Sequence, residues 1–229
     1  MPLKLFYNDM SPPVRAVLLT AKAINLEFDL REIDIANKEQ LAPEFMEINP
    51  QHTIPTLVDE DFVIWDSHAI AGYLVSKYSE DDSLYPKEPR KRALVDQRLH
   101  FDSGILFPRV QNLVYPIITF NDKEISREKL SAINESYKFM DKFLENSTFL
   151  AGESLTIADF CCVSTISTAT IIIPVSVERY PNLSKWYQLL KNLPYYEEAN
   201  GVGLNKLDAL VESKLGRPCH EDCMCNLAK

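Results

Sequence analysis

Leu3 to Tyr7 is a short apolar run of the kind that forms a strand, and Val14, Val17, Leu18, Ala21 and Ile24 then recur at helical spacing. Ser11 stands where an N-cap belongs, Pro12 at the first helical position, and Asn25 where the helix would close. A second proline at Pro13 is tolerable because first-turn N–H groups have no intrahelical partner anyway. Pro13 has no N–H to offer the Ser11 hydroxyl, so Val14 is the expected donor, which leaves the serine proton pointing outward. Leu26, Phe28 and Leu30 alternate with charged residues and predict a half-buried second strand; the alternation breaks at Arg31-Glu32 and resumes on the other parity at Ile33 and Ile35. A short helix is expected from Gln40 to Ile48, stopped by Asn49-Pro50. Thr56-Leu57-Val58 and Phe62-Val63-Ile64-Trp65 read as strands on either side of Asp59-Glu60-Asp61, and Asp66-Ser67 opens a helix running to about Tyr78. The order βαβ, α, ββα fits one small mixed sheet with helices on its faces.

The polar, proline-marked stretch from Ser79 to Pro89 reads as a linker, and the chain beyond it is helical without hairpin signals. Helix four is expected from Pro89 to about Phe120 with a bend at Pro116, helix five from Ser126 to Asn146, helix six from Thr156 to Ile172 and helix seven from Pro181 to Leu193. A further helix starts after Tyr195 or Leu204. Thr156 and Asp159 form an aspartate version of the capping box, with Leu155 and Phe160 at the positions of a hydrophobic staple. That is folding chemistry, not catalysis.

Charge and cysteine usage narrow the function. The net charge of -9 makes nucleic acid and anionic membrane poor partners, so an anionic ligand must be met by local dipoles. The start, Met1-Pro2-Leu3-Lys4, lacks the regions of a signal peptide, and the run near Ile171-Ile172-Ile173-Pro174-Val175 is too short to span a bilayer. Five cysteines is an odd number, and Cys161 and Cys162 lie in an apolar segment as buried thiols; a reducing, cytoplasmic setting is expected. The tail segment Cys219 to Cys225 offers three thiols and His220, but its spacing matches no standard metal site, and its composition suits a mobile tail; no metal is expected.

Three pieces of the first domain are candidates for one site: Ser11, the segment Gln51-His52-Thr53-Ile54-Pro55-Thr56, and Asp66-Ser67-His68. Ser11 is either an ordinary cap or a hydroxyl facing a substrate. Ile54-Pro55 is either a trans proline at a strand start or a cis bond that leaves the N–H and C=O of Ile54 free to pair an extended peptide. Asp66 and Ser67 are either a simple cap or an amino-acid site, with the helix start taking a carboxylate and Asp66 an ammonium. His52 is either solvated or a partner for a second carboxylate, and His68 either a site residue or an interface residue.

Together these motifs resemble a known family. Ser-Pro-Pro after the first strand, Asn-Pro-Gln-His-Thr-Ile-Pro, Asp-Ser-His-Ala-Ile, Asp-Ser-Leu-Tyr-Pro and Thr-Ile-Ala-Asp-Phe, in this order, resemble a cytosolic glutathione transferase, most similar to the insect epsilon class with delta next. The resemblance runs from residue 3 to about 200. It implies an α/β thioredoxin-like N-terminal domain, residues 1–80, and an all-α C-terminal helical domain, residues 88–229 with a Cys-containing tail at 216–229. It also implies conjugation of the glutathione thiolate to hydrophobic electrophiles in detoxification, insecticide resistance included, with peroxidase and dehydrochlorinase activities left open. Glutathione is the co-substrate, and the protein is expected to be a homodimer; a mixed face on helix four with His100, Phe101 and Asp102 agrees. By the same resemblance Ser11 stabilises the thiolate. His52, Thr53, Pro55 and the Ile54 backbone bind the cysteinyl and glycyl parts, and Asp66, Ser67 and His68 the γ-glutamyl end. Gln40 stands where many epsilon members carry a histidine. Met10, Pro13, Phe107, Gln111, Val114, Tyr115 and Ile118 would floor the hydrophobic-substrate site, with Gln111 in place of an arginine; otherwise the stripe is plain bundle core.

Two rivals use the same fold. A thiol–disulfide oxidoreductase would need a cysteine at position 11, and Ser11 stands there. A carrier of apolar ligands, such as steroids or pigments, remains the alternative.

Overall fold

The computed structural model describes residues 3–216. The Cys219–Cys225 segment lies outside the described residues. Strands β1 (Lys4–Tyr7), β2 (Asp29–Glu32), β3 (Thr56–Asp59) and β4 (Phe62–Trp65) form a 4-stranded sheet in the order β2-β1-β3-β4. β1 and β2 are parallel and joined by helix α1 (Pro12–Ala23); β3 is antiparallel to both β1 and β4. Leu3 and Leu5 pack with Val17 of α1, Leu57 of β3, and Ile70 and Leu74 of helix α3 (Ser67–Tyr78), so α1 and α3 share one face of the sheet. Phe6, on the alternate side of β1, meets Phe45 of helix α2 (Pro43–Ile48) edge to face at 5.4 Å.

The helical domain holds α4 (Pro89–Phe101), α5 (Phe107–Phe120), α6 (Arg127–Phe143), α7 (Ile157–Thr170), α8 (Pro181–Lys191) and α9 (Val202–Leu215). α7 is its axis: Ile157 to Ala169 are all buried, and α7 packs on α1, α4 and α5. Asp159, fully buried, accepts from the N–H and hydroxyl of Thr156, the N–H of Leu150 and Nε1 of Trp186, the structural role its position predicts. Cys161 and Cys162 are buried free thiols, and burial pushes both pKa values well up. Among the described residues, no helix is long and apolar enough to cross a membrane.

Several expectations are corrected. The second strand begins at Asp29, because β2 is an edge strand whose extent is set by pairing with β1; Leu26 and Phe28 pack on the core ahead of it. The helix expected at Gln40 is a short 3-10 turn, Glu39–Leu41, followed by α2. Helix four does not run on to a bend at Pro116. It breaks into a π turn at Asp102–Leu106, and Pro116 lies inside α5. Pro108 has no N–H to return to the carbonyl of Gly104, so the regular ladder fails there. Phe101 and Asp102 are buried, and of the face proposed for dimerisation only His100 is exposed. The linker is ordered by packing: Tyr85 touches Gly72, Arg92 stacks on Tyr85 at 3.3 Å, and the carbonyl of Leu84 accepts from Ile157 N–H at 2.9 Å.

Candidate functional site

Strand pairing alone gathers the candidate residues. Phe6 pairs with Thr56, and Thr56 pairs with Trp65, so the end of β1 and the starts of β3 and α3 fall at one end of the sheet. Adjacent strands lie about 4.8 Å apart. The loop to Ser11, the Gln51–Pro55 loop and the Asp66–His68 turn are therefore neighbours, and Nε1 of Trp65 ties two of them by donating to Gln51 Oε1 at 2.5 Å.

Ser11 is the N-cap of α1 by backbone conformation, yet its hydroxyl accepts nothing from Val14 or any other first-turn N–H. The expected cap bond is not made. The residue is instead held by its main chain: its N–H donates to the carbonyl of Asn8 at 3.0 Å and its carbonyl accepts from Arg15 N–H at 3.1 Å. The half-buried hydroxyl makes no hydrogen bond among the described residues and sits at the positive end of a helix.

The Ile54-Pro55 bond is cis, and Ile54 lies outside the strand ladder with no hydrogen bond on its N–H or C=O among the described residues. Asn49 holds this loop from within. Fully buried, its Nδ2 donates to the carbonyl and hydroxyl of Thr53 at 3.1 Å each and to Thr56 Oγ1 at 2.9 Å. Thr53 thus commits its polar groups to the loop, while His52 is exposed, with φ 46. Gln40 sits in the 3-10 turn with a buried, unpartnered Oε1.

Asp66, and not Ser67, caps α3: its Oδ1 accepts from the N–H groups of His68 and Ala69 at 2.9 and 3.1 Å. Those two donors are already engaged and cannot meet a ligand carboxylate, which leaves the N–H and hydroxyl of the buried Ser67. Oδ2 of the exposed Asp66 is free for a cation, and the hydrogen bond from His68 holds its carboxyl below the usual range. The His68 ring turns inward, its Nε2 2.9 Å from Oδ2 of Asp102 in the π turn. Burial would lower the His68 pKa, but Asp102 and Asp66 together raise it to about 9. The His68 ring joins α3 to the π turn of the helical domain.

On the helical side, Met10 and Pro13 are half-buried, Met10 against the helical core; Phe107 and Ile118 are half-buried, and Gln111 and Tyr115 are exposed. Val114 is 5% exposed and belongs to the core.

Arg15 and Asn49 were missed by residue-level reasoning. Arg15 is 0% exposed, four positions after Ser11, and reaches Ser167, Thr168 and the carbonyls of Ser164 and Asn200. A lone arginine on an otherwise apolar helix face was its only signal.

The geometry has a counterpart among known proteins. Residues 1–76 match the model for the glutathione S-transferase N-terminal domain, and residues 94–194 that for its C-terminal domain. Glutathione S-transferase 1 of Manduca sexta is 46% identical over 94% of this chain and 100% of its own length. This chain belongs to the glutathione S-transferase family. The epsilon-class glutathione S-transferase of the housefly, Musca domestica, superposes with a TM-score of 0.91 at 47% identity, over 93% of this chain and 98% of its own. A Drosophila mojavensis glutathione transferase homologue, solved with bound glutathione, gives 0.91 at 46% identity over 93% and 97%. As a glutathione transferase the protein is an enzyme with glutathione as its co-substrate, and the comparisons give the carrier alternative no support.

Proposed function

We propose that this transferase activates glutathione through Ser11 and conjugates it to hydrophobic electrophiles. The observation that supports this most directly is the uncapped Ser11 hydroxyl at the start of α1. Its oxygen takes no first-turn N–H and its proton meets no acceptor among the described residues, so the hydroxyl is free to donate to a ligand. A free thiol with a pKa of about 8.5 is only a few per cent ionised at pH 7. Lowering it by about two units requires ~2.7 kcal/mol. One hydrogen bond to a charged group contributes about 1.5–3 kcal/mol, and the helix end adds to it. Ser11 donates and does not attack; the thiolate sulfur is the nucleophile on the electrophilic carbon.

The remaining roles are set by the chemistry of the groups. Ile54 offers its free N–H and C=O to the cysteinyl main chain. Asp66 Oδ2 takes the γ-glutamyl ammonium, and the hydroxyl and N–H of Ser67 its carboxylate. His52 and Gln40 face the glycyl end. Met10, Pro13, Phe107, Gln111, Tyr115 and Ile118 floor the electrophile site, with Val114 behind them. Residues 1–80 form the glutathione-binding unit and 88–229 the unit that carries the hydrophobic site. We assign the enzyme to the cytoplasm and to a homodimer; family membership and exposed Phe62 and Leu94 support the latter, each 45% exposed.

The test is the thiolate absorbance of bound glutathione against pH. Ser11→Ala should raise the apparent thiol pKa and cut turnover at pH 7 about ten- to hundredfold, with glutathione affinity nearly intact. Equal pKa values in the two proteins would remove Ser11 from the mechanism.

A further inference from the structure

We propose that α9 is a strut for the loop that presents Ser11, with Gly203 and Lys206 as positioning residues for thiol activation. The proposal rests on the Ser11 reading and extends it to the far end of the chain. Gly203 has ordinary helical backbone, so no dihedral requires glycine there, and glycine is a poor helix former. Close approach is the reason for it. A Cβ on Gly203 would overlap the carbonyl oxygen of Asp9 and lie 2.6 Å from its carbonyl carbon, where real Cβ atoms stay beyond 3.0 Å. Both groups are backbone, so no side chain can swing aside. One turn on, Lys206 Nζ meets Asp9 Oδ2 at 2.5 Å, across 197 positions of sequence. Residues three apart share a helix face, so the two contacts act from one side on two parts of one residue.

Asp9 is two residues before Ser11. The segment between is tied at its sheet end, where Asn8 donates to Ile33 O, accepts from Met10 N–H through Oδ1, and accepts Ser11 N–H on its carbonyl. Beyond Ser11, buried Arg15 fixes α1 to α7. Ser11 thus stands between a fixed helix and a loop whose outer side rests on α9. Because its hydroxyl has no local hydrogen bond, main-chain placement alone aims it. A displacement of about 1 Å at a reacting group can cost roughly hundredfold in rate.

The test uses the full-length enzyme with glutathione. Gly203→Ala should raise the apparent pKa of the bound thiol and lower kcat about ten- to hundredfold at pH 7, while the glutathione Kd changes by less than about twofold. Lys206→Met, which removes only an exposed ion pair, should shift both in the same direction by about two- to threefold, and it decides the matter if Gly203→Ala does not fold. Lys214→Met, on the same helix about 12 Å further along, should change neither. A melting-temperature loss in Gly203→Ala and Lys206→Met with wild-type thiol pKa and kcat overturns the strut. Ser11→Ala is run in the same series: shifted alone, it keeps the Ser11 reading and removes the strut; unshifted, it removes both.

Discussion

Ser11 and Asp66 both stand at helix starts after a strand or loop, yet only Asp66 gives its side chain to the helix. The difference is chemical: prolines at the first two positions of α1 leave few donors near Ser11, whereas α3 offers the N–H groups of His68 and Ala69. Ser11→Ala should therefore change the melting temperature little, less than the ~1 kcal/mol of a lost cap, while changing the thiol pKa. Asp66→Ala should do the reverse, losing about 1 kcal/mol of stability together with glutathione affinity, as read by thermal melting and titration calorimetry. Asn49 is the third case. Asn49→Ala orphans the Thr53–Thr56 loop and should weaken glutathione binding about tenfold with the apparent thiol pKa unshifted, because the loop and not Ser11 has moved.

At the scale of elements, the break between α4 and α5 matters most. Asp102 opens the π turn on the buried side of α4, below Val95 and Leu99; it is 3% exposed and its carboxylate faces His68 near the start of α3. Removing one partner of such a pair leaves an uncompensated buried charge. His68→Ala should therefore cost about 3–5 kcal/mol at neutral pH. The pH dependence has a definite sign. The folded pKa of His68, about 9, lies above its unfolded value, so its stabilisation is fully present below about pH 6.5 and is lost as pH rises through about 9. The gap in melting temperature between wild type and His68→Gln, which still donates but cannot charge, should close over that window.

Across the whole molecule, the two domains are joined by the buried contacts of His68 with Asp102 and of Arg15 in α1 with α7, and at the surface by the ion pairs Asp9 with Lys206 and Lys22 with Glu198 at 2.6 Å. Arg15 is the most costly of these, since burial lowers its pKa to about 10 and its partners are hydroxyls and carbonyls. Arg15→Ala would leave a cavity and unpaired acceptors between α1 and α7. A loss of about 3–5 kcal/mol in denaturant unfolding is expected, and Arg15→Lys should recover only part of it because an ammonium cannot span the same acceptors.

The element order, the small mixed sheet, the helical second half, the Asn25 helix stop and the structural Asp159 were legible in the sequence, because hydrophobic period and capping chemistry are local. The three candidate segments were proposed from the sequence as pieces of one site; what brings them together is Phe6 pairing with Thr56 and Thr56 with Trp65, a register that no local signal states. The extent of β2 was decided by tertiary structure, through its edge pairing with β1; the break before α5 and the choice of Asp66 over Ser67 as the cap have local causes, the missing N–H of Pro108 and the N–H groups of His68 and Ala69. Arg15 and Gly203 were illegible because their partners are distant in sequence, whereas Asn49 acts within its own loop, on Thr53 and Thr56. What each does is set by what it meets, and their partners lie up to 194 positions away on the chain, at Asp9 and Gly203. Sequence by itself determined which segments form and which chemistry they carry; only the packed molecule decided which of those groups remain free to act.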